Sequence, residues 1–260
     1  MAALAGDASA DMNMASAESA LKSGDMVVLD GKTGKAQGAY AFEPLEPFFG
    51  KAQFWQSVSV SQDGRRAAVG LDDGRSFIFD LETLAPERVF DFGAPIPISG
   101  IPVAASATYA KIAPDGIAYF QTGPSSVPSG DAAGRMASPP GPHPNAFTIA
   151  AVGTDGEVLW RYRGGQHYQN FWTSADGRWV FSCAQADDPQ SGRPSGAILF
   201  DTRRPGGGSA KLAYFYPIEG MAFFQADISA DGALIALVET PYLDSETRRL
   251  RGRYQVHIVR

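Results

Sequence analysis

Short runs of alternating apolar and polar residues recur along this chain, and an Asp-Gly pair interrupts them again and again. The stretches VSVSQDGRRAAVG (58–70), AKIAPDGIAYFQ (110–121), FWTSADGRWVFSC (171–183) and ADISADGALIALV (226–238) share this layout. Their pairs, Asp63-Gly64, Asp115-Gly116, Asp176-Gly177 and Asp231-Gly232, lie 52, 61 and 55 residues apart. A period of two is what a strand with one buried face requires, and Asp-Gly supplies the positive φ angles of a tight hairpin turn. A hairpin unit repeated about every 50 residues indicates stacked or radially arranged repeats.

Reading outward from each turn predicts the rest of each unit. Met26 to Asp30 and a run near 39–42 form a first hairpin around Gly31-Lys32-Thr33-Gly34-Lys35. Strands at 56–61, 65–70, 76–80 and 87–92 make the most complete unit, joined by Asp63-Gly64, Asp73-Gly74 and 81–86. A third unit has strands near 108–113, 117–121, 146–152 and 157–162, and a fourth near 171–174, 178–184, 196–201 and 211–216. The last has three, near 224–229, 233–239 and 253–259. Four antiparallel strands in about 45–55 residues describe a propeller blade. The expected fold is therefore an all-β propeller with about four to five recognisable blades. A flexible leader (1–24) precedes a partial blade (25–44), blades at 55–93, 107–164 and 169–218, and a partial blade at 221–260.

Two irregularities carry information. Three units expand the same connection, at 122–145, 185–195 and 240–252, which places three long loops on one face. The first is rich in proline and small residues (GPSSVPSGDAAGRMASPPGPHPN) and is expected to form no sheet. The ends also fail to balance: two strands open the chain and three close it, one too many for a four-stranded blade. Either one strand is misread, or the chain is part of a longer propeller, an incomplete ring that a missing segment or second chain completes. The apolar strand at Val256 and Ile258 runs to Arg260 without a tail, which favours the second.

The segment Val152-Gly153-Thr154-Asp155-Gly156-Glu157-Val158-Leu159-Trp160-Arg161-Tyr162 resembles the repeat of quinoprotein-like propellers, and Val27 to Lys35 is similar without the tryptophan. Ser61-Gln62-Asp63-Gly64-Arg65 and Ser174-Ala175-Asp176-Gly177-Arg178 resemble the turn of WD40-like and Tol-B-type propellers. The Trp-Asp and Gly-His signatures of WD40 repeats are absent, and one repeat alone carries the quinoprotein tryptophan. This degenerate, bacterial-type pattern implies a binding or scaffold role for a protein partner more than catalysis.

Composition narrows the chemistry. Gly 29 and Pro 18 in 260 residues favour short strands and many turns. A net charge of −6 argues against a nucleic-acid surface, which needs a concentrated basic field. The local exception is Arg248, Arg249, Arg251 and Arg253, between the last two predicted strands: a solvated hairpin or an anionic-partner patch. No run is apolar enough to span a membrane, and residues 1–25 lack the basic start and apolar core of a signal peptide. Cytoplasmic and extracytoplasmic locations both stay open.

Candidate chemistry is thin. Cys183 is single, within an apolar run, and reads as a buried small hydrophobe rather than a nucleophile. His143, His167 and His257 share no metal-ligand spacing, and no nucleophile-elbow motif is present. His167 stands out because Tyr168, Phe171 and Trp172 surround it, a pattern that fits a small-ligand pocket as well as a packed connection. The carboxylate pairs Asp72-Asp73 and Asp187-Asp188 lie in predicted turns, where acidic residues are expected without calcium. Trp55, Trp172 and Phe223-Phe224 recur at first strands and suggest packing between blades. Pro205-Gly206-Gly207-Gly208 lacks the lysine and the helix of a phosphate loop. No cofactor and no catalytic residue is predicted. The rival readings are a quinoprotein-type oxidoreductase, a propeller hydrolase using the channel, or the propeller part of a larger enzyme.

Overall fold

Alternating sequence becomes strand throughout the computed structural model, which describes residues 2–4, 25–43, 45, 54–127, 138–185, 194–244 and 247–260. Two units emerge, residues 1–112 with 124–146, and residues 113–123 with 147–260. The divide falls inside the third predicted blade.

In the first unit, strands β1 (Ala2–Leu4), β2 (Asp25–Leu29) and β3 (Ala36–Ala41) form an antiparallel sheet in chain order. Most of the expected leader lies outside the described residues, but Ala2–Leu4 pairs with β2. Strands β4 (Phe54–Val60), β5 (Arg66–Leu71), β6 (Ser76–Asp80) and β7 (Ala85–Phe90) follow as a four-stranded meander. The hairpin of β8 (Ile96–Ile98) and β9 (Ile101–Ile112) closes the unit. Its core joins Met26 and Phe42 to Ala67, Val69, Leu71, Phe77 and Phe79, with Tyr40 edge-on to Phe79 at 4.9 Å. Aromatic rings crossed in this way add about 1 kcal/mol beyond the apolar area they bury.

The second unit begins with β10 (Ala118–Ser126), β11 (Thr148–Val152) and β12 (Val158–Arg163), paired antiparallel. A complete four-stranded sheet follows: β13 (His167–Thr173), β14 (Trp179–Gln185), β15 (Gly196–Asp201) and β16 (Leu212–Pro217). Strands β17 (Met221–Ile228), β18 (Ile235–Thr240) and β21 (Gln255–Val259) make a three-stranded sheet, and β19 (Tyr242–Leu243) pairs with β20 (Leu250–Arg251) as a small hairpin. Phe181, Cys183 and Ala197 pack with Ile218, Ala222, Ile228, Ile235 and Leu237 into one core. The architecture is all-β and of the propeller class. Among the described residues no helix is long and apolar enough to cross a membrane.

Several expectations need correction. Strands β1, β8, β19 and β20 were not anticipated, because two- and three-residue strands leave no periodicity to read. The proline-rich insertion does not begin as loop: Gly123–Ser126 continue β10, past the last residue paired with β11. A four-residue helix, Gly208–Lys211, follows the Pro205 glycines where none was expected.

The Asp-Gly turns are also built differently from a two-residue hairpin. In each, the glycine N–H donates to the carbonyl three residues back, with only the glycine at positive φ: 71° at Gly64, 84° at Gly116, 68° at Gly177 and 74° at Gly232. The aspartate stays in ordinary backbone and acts through its carboxylate. Asp63, Asp115, Asp176 and Asp231 each accept the N–H two residues on, at 3.0–3.1 Å. In three of the four, a serine two residues before the aspartate donates to the same oxygen, at 2.6 Å from Ser61, 2.8 Å from Ser174 and 2.6 Å from Ser229. Those serine bonds, with the backbone donors, hold Asp63, Asp176 and Asp231 below the usual carboxylate range. In the fourth turn Ala113 replaces the serine, and Asp115 moves the other way, raised chiefly by burial.

Candidate functional site

The second unit's last sheet carries a knot of polar side chains at the root of the β19–β20 hairpin. Glu239 lies near the end of β18, directly opposite Gln255 of β21, with His257 one register step along the same edge. Its side chain is 1% exposed, and both oxygens are fully engaged. One accepts from the N–H of Gly220 at 2.7 Å and of Arg253 at 3.3 Å. The other accepts from Gln255 Nε2 at 2.6 Å and lies 2.7 Å from His257 Nε2. Burial opposes ionisation here, but the donors from Gln255, His257, Gly220 and Arg253 outweigh it and hold the carboxyl below its ordinary value.

The backbone is shaped to fit this group. Gly252 sits at φ 72°, and a Cβ there would meet both Gly220 Cα and the Glu239 carboxylate. A carboxylate acceptor assigns the proton of His257 to Nε2, leaving Nδ1 to accept from Tyr216 Oη at 3.0 Å. Tyr216, His257 and Glu239 thus form one hydrogen-bonded chain across β16, β21 and β18. It ties two neighbouring sheets of this unit together and fixes the stem from which the hairpin projects. His257 drew no attention as a strand residue. The missed signal is its alternation with Gln255, which sets both polar side chains on the sheet face that carries Glu239, while Val256 and Ile258 lie on the other face.

Beyond that stem the surface changes character. Leu243 and Leu250 are paired across the hairpin and exposed at 55% and 70%, and Tyr254 is exposed at 81%. Arg248, Arg249, Arg251 and Arg253 are all exposed around them. Among the described residues only Arg251 of these four has an ion-pair partner, Asp244 at 3.6 Å. The structure therefore places Arg248, Arg249 and Arg251 on the hairpin and Arg253 in the connection to β21, with apolar side chains between them.

The other candidate residues do not converge. Tyr168 is fully buried, its ring 6.1 Å from Tyr162 and its hydroxyl against Gly164. Trp172 lies on the opposite face of β13, 5.1 Å from Phe181 in the core shared with β17. A register shift between Gln169 and Trp172 separates them, and His167, paired with Gln185, is half-buried at the start of the strand. Cys183 is wholly buried in the same core, and burial pushes its thiol up to about 12.

In the first unit, His143 proves to be an anchor inside the proline-rich insertion. It is 2% exposed, with Nε2 3.1 Å from the Ala94 carbonyl and Nδ1 accepting from Asn145 N at 3.1 Å. Asp73 is buried and clasped by Arg75 at 2.6 Å, while burial and the neighbouring Asp73 charge push Asp72 up to about 6. Asp187-Asp188 and the side chains of Trp55, Phe223 and Phe224 lie outside the described residues.

No protein-family model and no curated protein matches the chain. Solved structures do. Hydrazine synthase of Kuenenia stuttgartiensis aligns with a TM-score of 0.56 at 14% identity, covering 91% of this chain and 56% of that one. The Cps50 (Swd1) β-propeller domain of Myceliophteria thermophila aligns with a TM-score of 0.48 at 12% identity, covering 87% and 62%. The chain thus spans about three-fifths of the length of these two structures. At 14% identity the likeness to hydrazine synthase extends to the fold alone.

Proposed function

We propose that this chain is a non-catalytic β-propeller module that binds a protein partner, with the β19–β20 hairpin as its recognition element. The observation that carries this reading is the surface of the hairpin. Leu243, Leu250 and Tyr254 are exposed among Arg248, Arg249, Arg251 and Arg253. Arginine and tyrosine beside exposed aliphatic groups is the composition of protein-recognition hot spots. Loops on a rigid β scaffold are where such recognition is placed, and the Glu239 knot gives this one a fixed base.

The enzyme readings have one foothold, the Tyr216–His257–Glu239 chain. Its order matches a nucleophile, base and orienting acid. The scaffold reading is the better supported because the same carboxylate also accepts from the Gly220 and Arg253 N–H groups and from Gln255, which makes it an anchor for the hairpin stem.

The test compares partner capture by the wild type with capture by a variant in which residues 242–251 are replaced by a two-residue Asn-Gly turn. Loss of specific partners with an unchanged circular-dichroism melt supports the proposal. Identical partners from both proteins overturn it.

A further inference from the structure

We infer that β21 is an acceptor edge for an extended acidic segment of a partner protein, which adds to the β17–β18–β21 sheet as its fourth strand. This rests on the binding-module reading and names the chemistry of the partner. The sheet order places β21 at an edge, whereas β4–β7 and β13–β16 each hold four strands. Among the described residues no strand pairs with the outer side of β21, so its free backbone groups form a template for strand addition.

The side chains agree with an occupied edge. Val256 and Ile258 are each 65% exposed on one face, where Val238 and Ala236 are their cross-strand neighbours. An incoming strand with apolar residues in matching register would extend this row and shield it from water. The opposite face, carrying Gln255 and His257, is occupied by the Glu239 knot, so the register is already set.

Charge selects among occupants. From residue 248 to 260 the chain carries Arg248, Arg249, Arg251, Arg253 and Arg260 and no acidic residue, within a protein of net charge −6. A second copy paired antiparallel through β21 would bring Arg253 of one chain toward Arg260 of the other, at both ends of the ladder. Like charges facing across strands are destabilising. An acidic segment meets the same arginines with the opposite sign, gaining both attraction and faster association. The chemistry fits a segment with valine-like residues at alternate positions and carboxylates at both ends.

The experiment uses the full chain and a heptapeptide in which valine alternates with threonine between acidic end residues. The control peptide carries lysines in place of the acids. Fluorescence anisotropy is expected to show binding of the acidic peptide at least tenfold tighter than the control, weakening at least tenfold between 50 and 500 mM salt. The double variant Arg253→Glu with Arg260→Glu should lose that preference. Hydrogen exchange should slow at the amides of 255–259 when the acidic peptide is bound. Equal binding of both peptides, protection confined to 242–251, or a dimer of the chain that the peptide does not dissociate would each overturn the strand-addition proposal. The hairpin-replacement experiment tests the binding-module reading separately, since it removes 242–251 and leaves β21 intact.

Discussion

Replacing Glu239 by glutamine keeps its shape and removes its charge, which makes it a direct probe of the knot that supports the hairpin. The wild-type carboxylate takes four donors: two backbone N–H groups on one oxygen, and Gln255 and His257 on the other. In Glu239→Gln the backbone donors can keep a carbonyl oxygen. The new amide NH2 then faces two donors. Gln255 can turn its amide over, and His257 can move its proton to Nδ1, so both contacts are recoverable as neutral bonds. The cost is then the difference between charge-assisted and neutral hydrogen bonds at two contacts, about 2–3 kcal/mol in total. Glu239→Ala leaves four buried donors without acceptors and should cost more, about 4–5 kcal/mol. Urea unfolding followed through Trp172 and Trp179, which pack against the core beside this sheet, reads both changes. The pH dependence adds a sign. Glu239 is held below its ordinary value in the folded state, so its stabilisation is full above the unfolded carboxyl range and fades as pH falls through the folded one. The gap between wild type and Glu239→Gln should therefore narrow between pH 7 and pH 3.5. A glutamine variant within about 0.5 kcal/mol of wild type, a gap independent of pH, or an alanine variant no worse than glutamine would refute the reasoning.

Asp72 provides the opposite sign: its folded carboxyl is pushed up to about 6, so its contribution favours folding below the unfolded value and is lost as pH rises toward 6. Asp72→Asn should stabilise the protein at pH 7.5 by about 1–2 kcal/mol after allowing for partial exposure, and by little at pH 4, in paired denaturation curves. Two equivalent glycines should respond unequally to alanine. Gly64 has open space around it and should lose about 1 kcal/mol from its positive φ alone, whereas Gly177 lies against the Asp115 carboxyl and should lose more than about 2 kcal/mol in the same assay. Cys183, fully buried with its thiol pushed up to about 12, should not react with a thiol-directed chromophore until denaturant is added; prompt reaction in native buffer would contradict its place in the core.

What was legible in the sequence was local. The Ser-x-Asp-Gly turns need only contacts two to five residues apart, so Ser174, Asp176, Gly177 and the N–H of Trp179 carry their own instructions wherever they occur. Period-two alternation reports which face of a strand is buried, and four such strands per repeat indicated the propeller class. The arginines around the last hairpin were visible as a cluster because all four fall within residues 248–253.

Tertiary structure alone decided which residues meet. Tyr216 and His257 are 41 positions apart, and His257 and Glu239 are 18 apart; strand register joins them, and neither separation has a sequence signature. A one-residue bulge in β13 sent Tyr168 and Trp172 to opposite faces and dissolved an apparent aromatic cluster. Burial raised Asp72 and left Asp30 and Asp80, also in turns, held low by their local N–H donors. Turn chemistry acts through neighbours along the chain. Desolvation, register and strand-edge exposure depend on what the rest of the fold brings alongside.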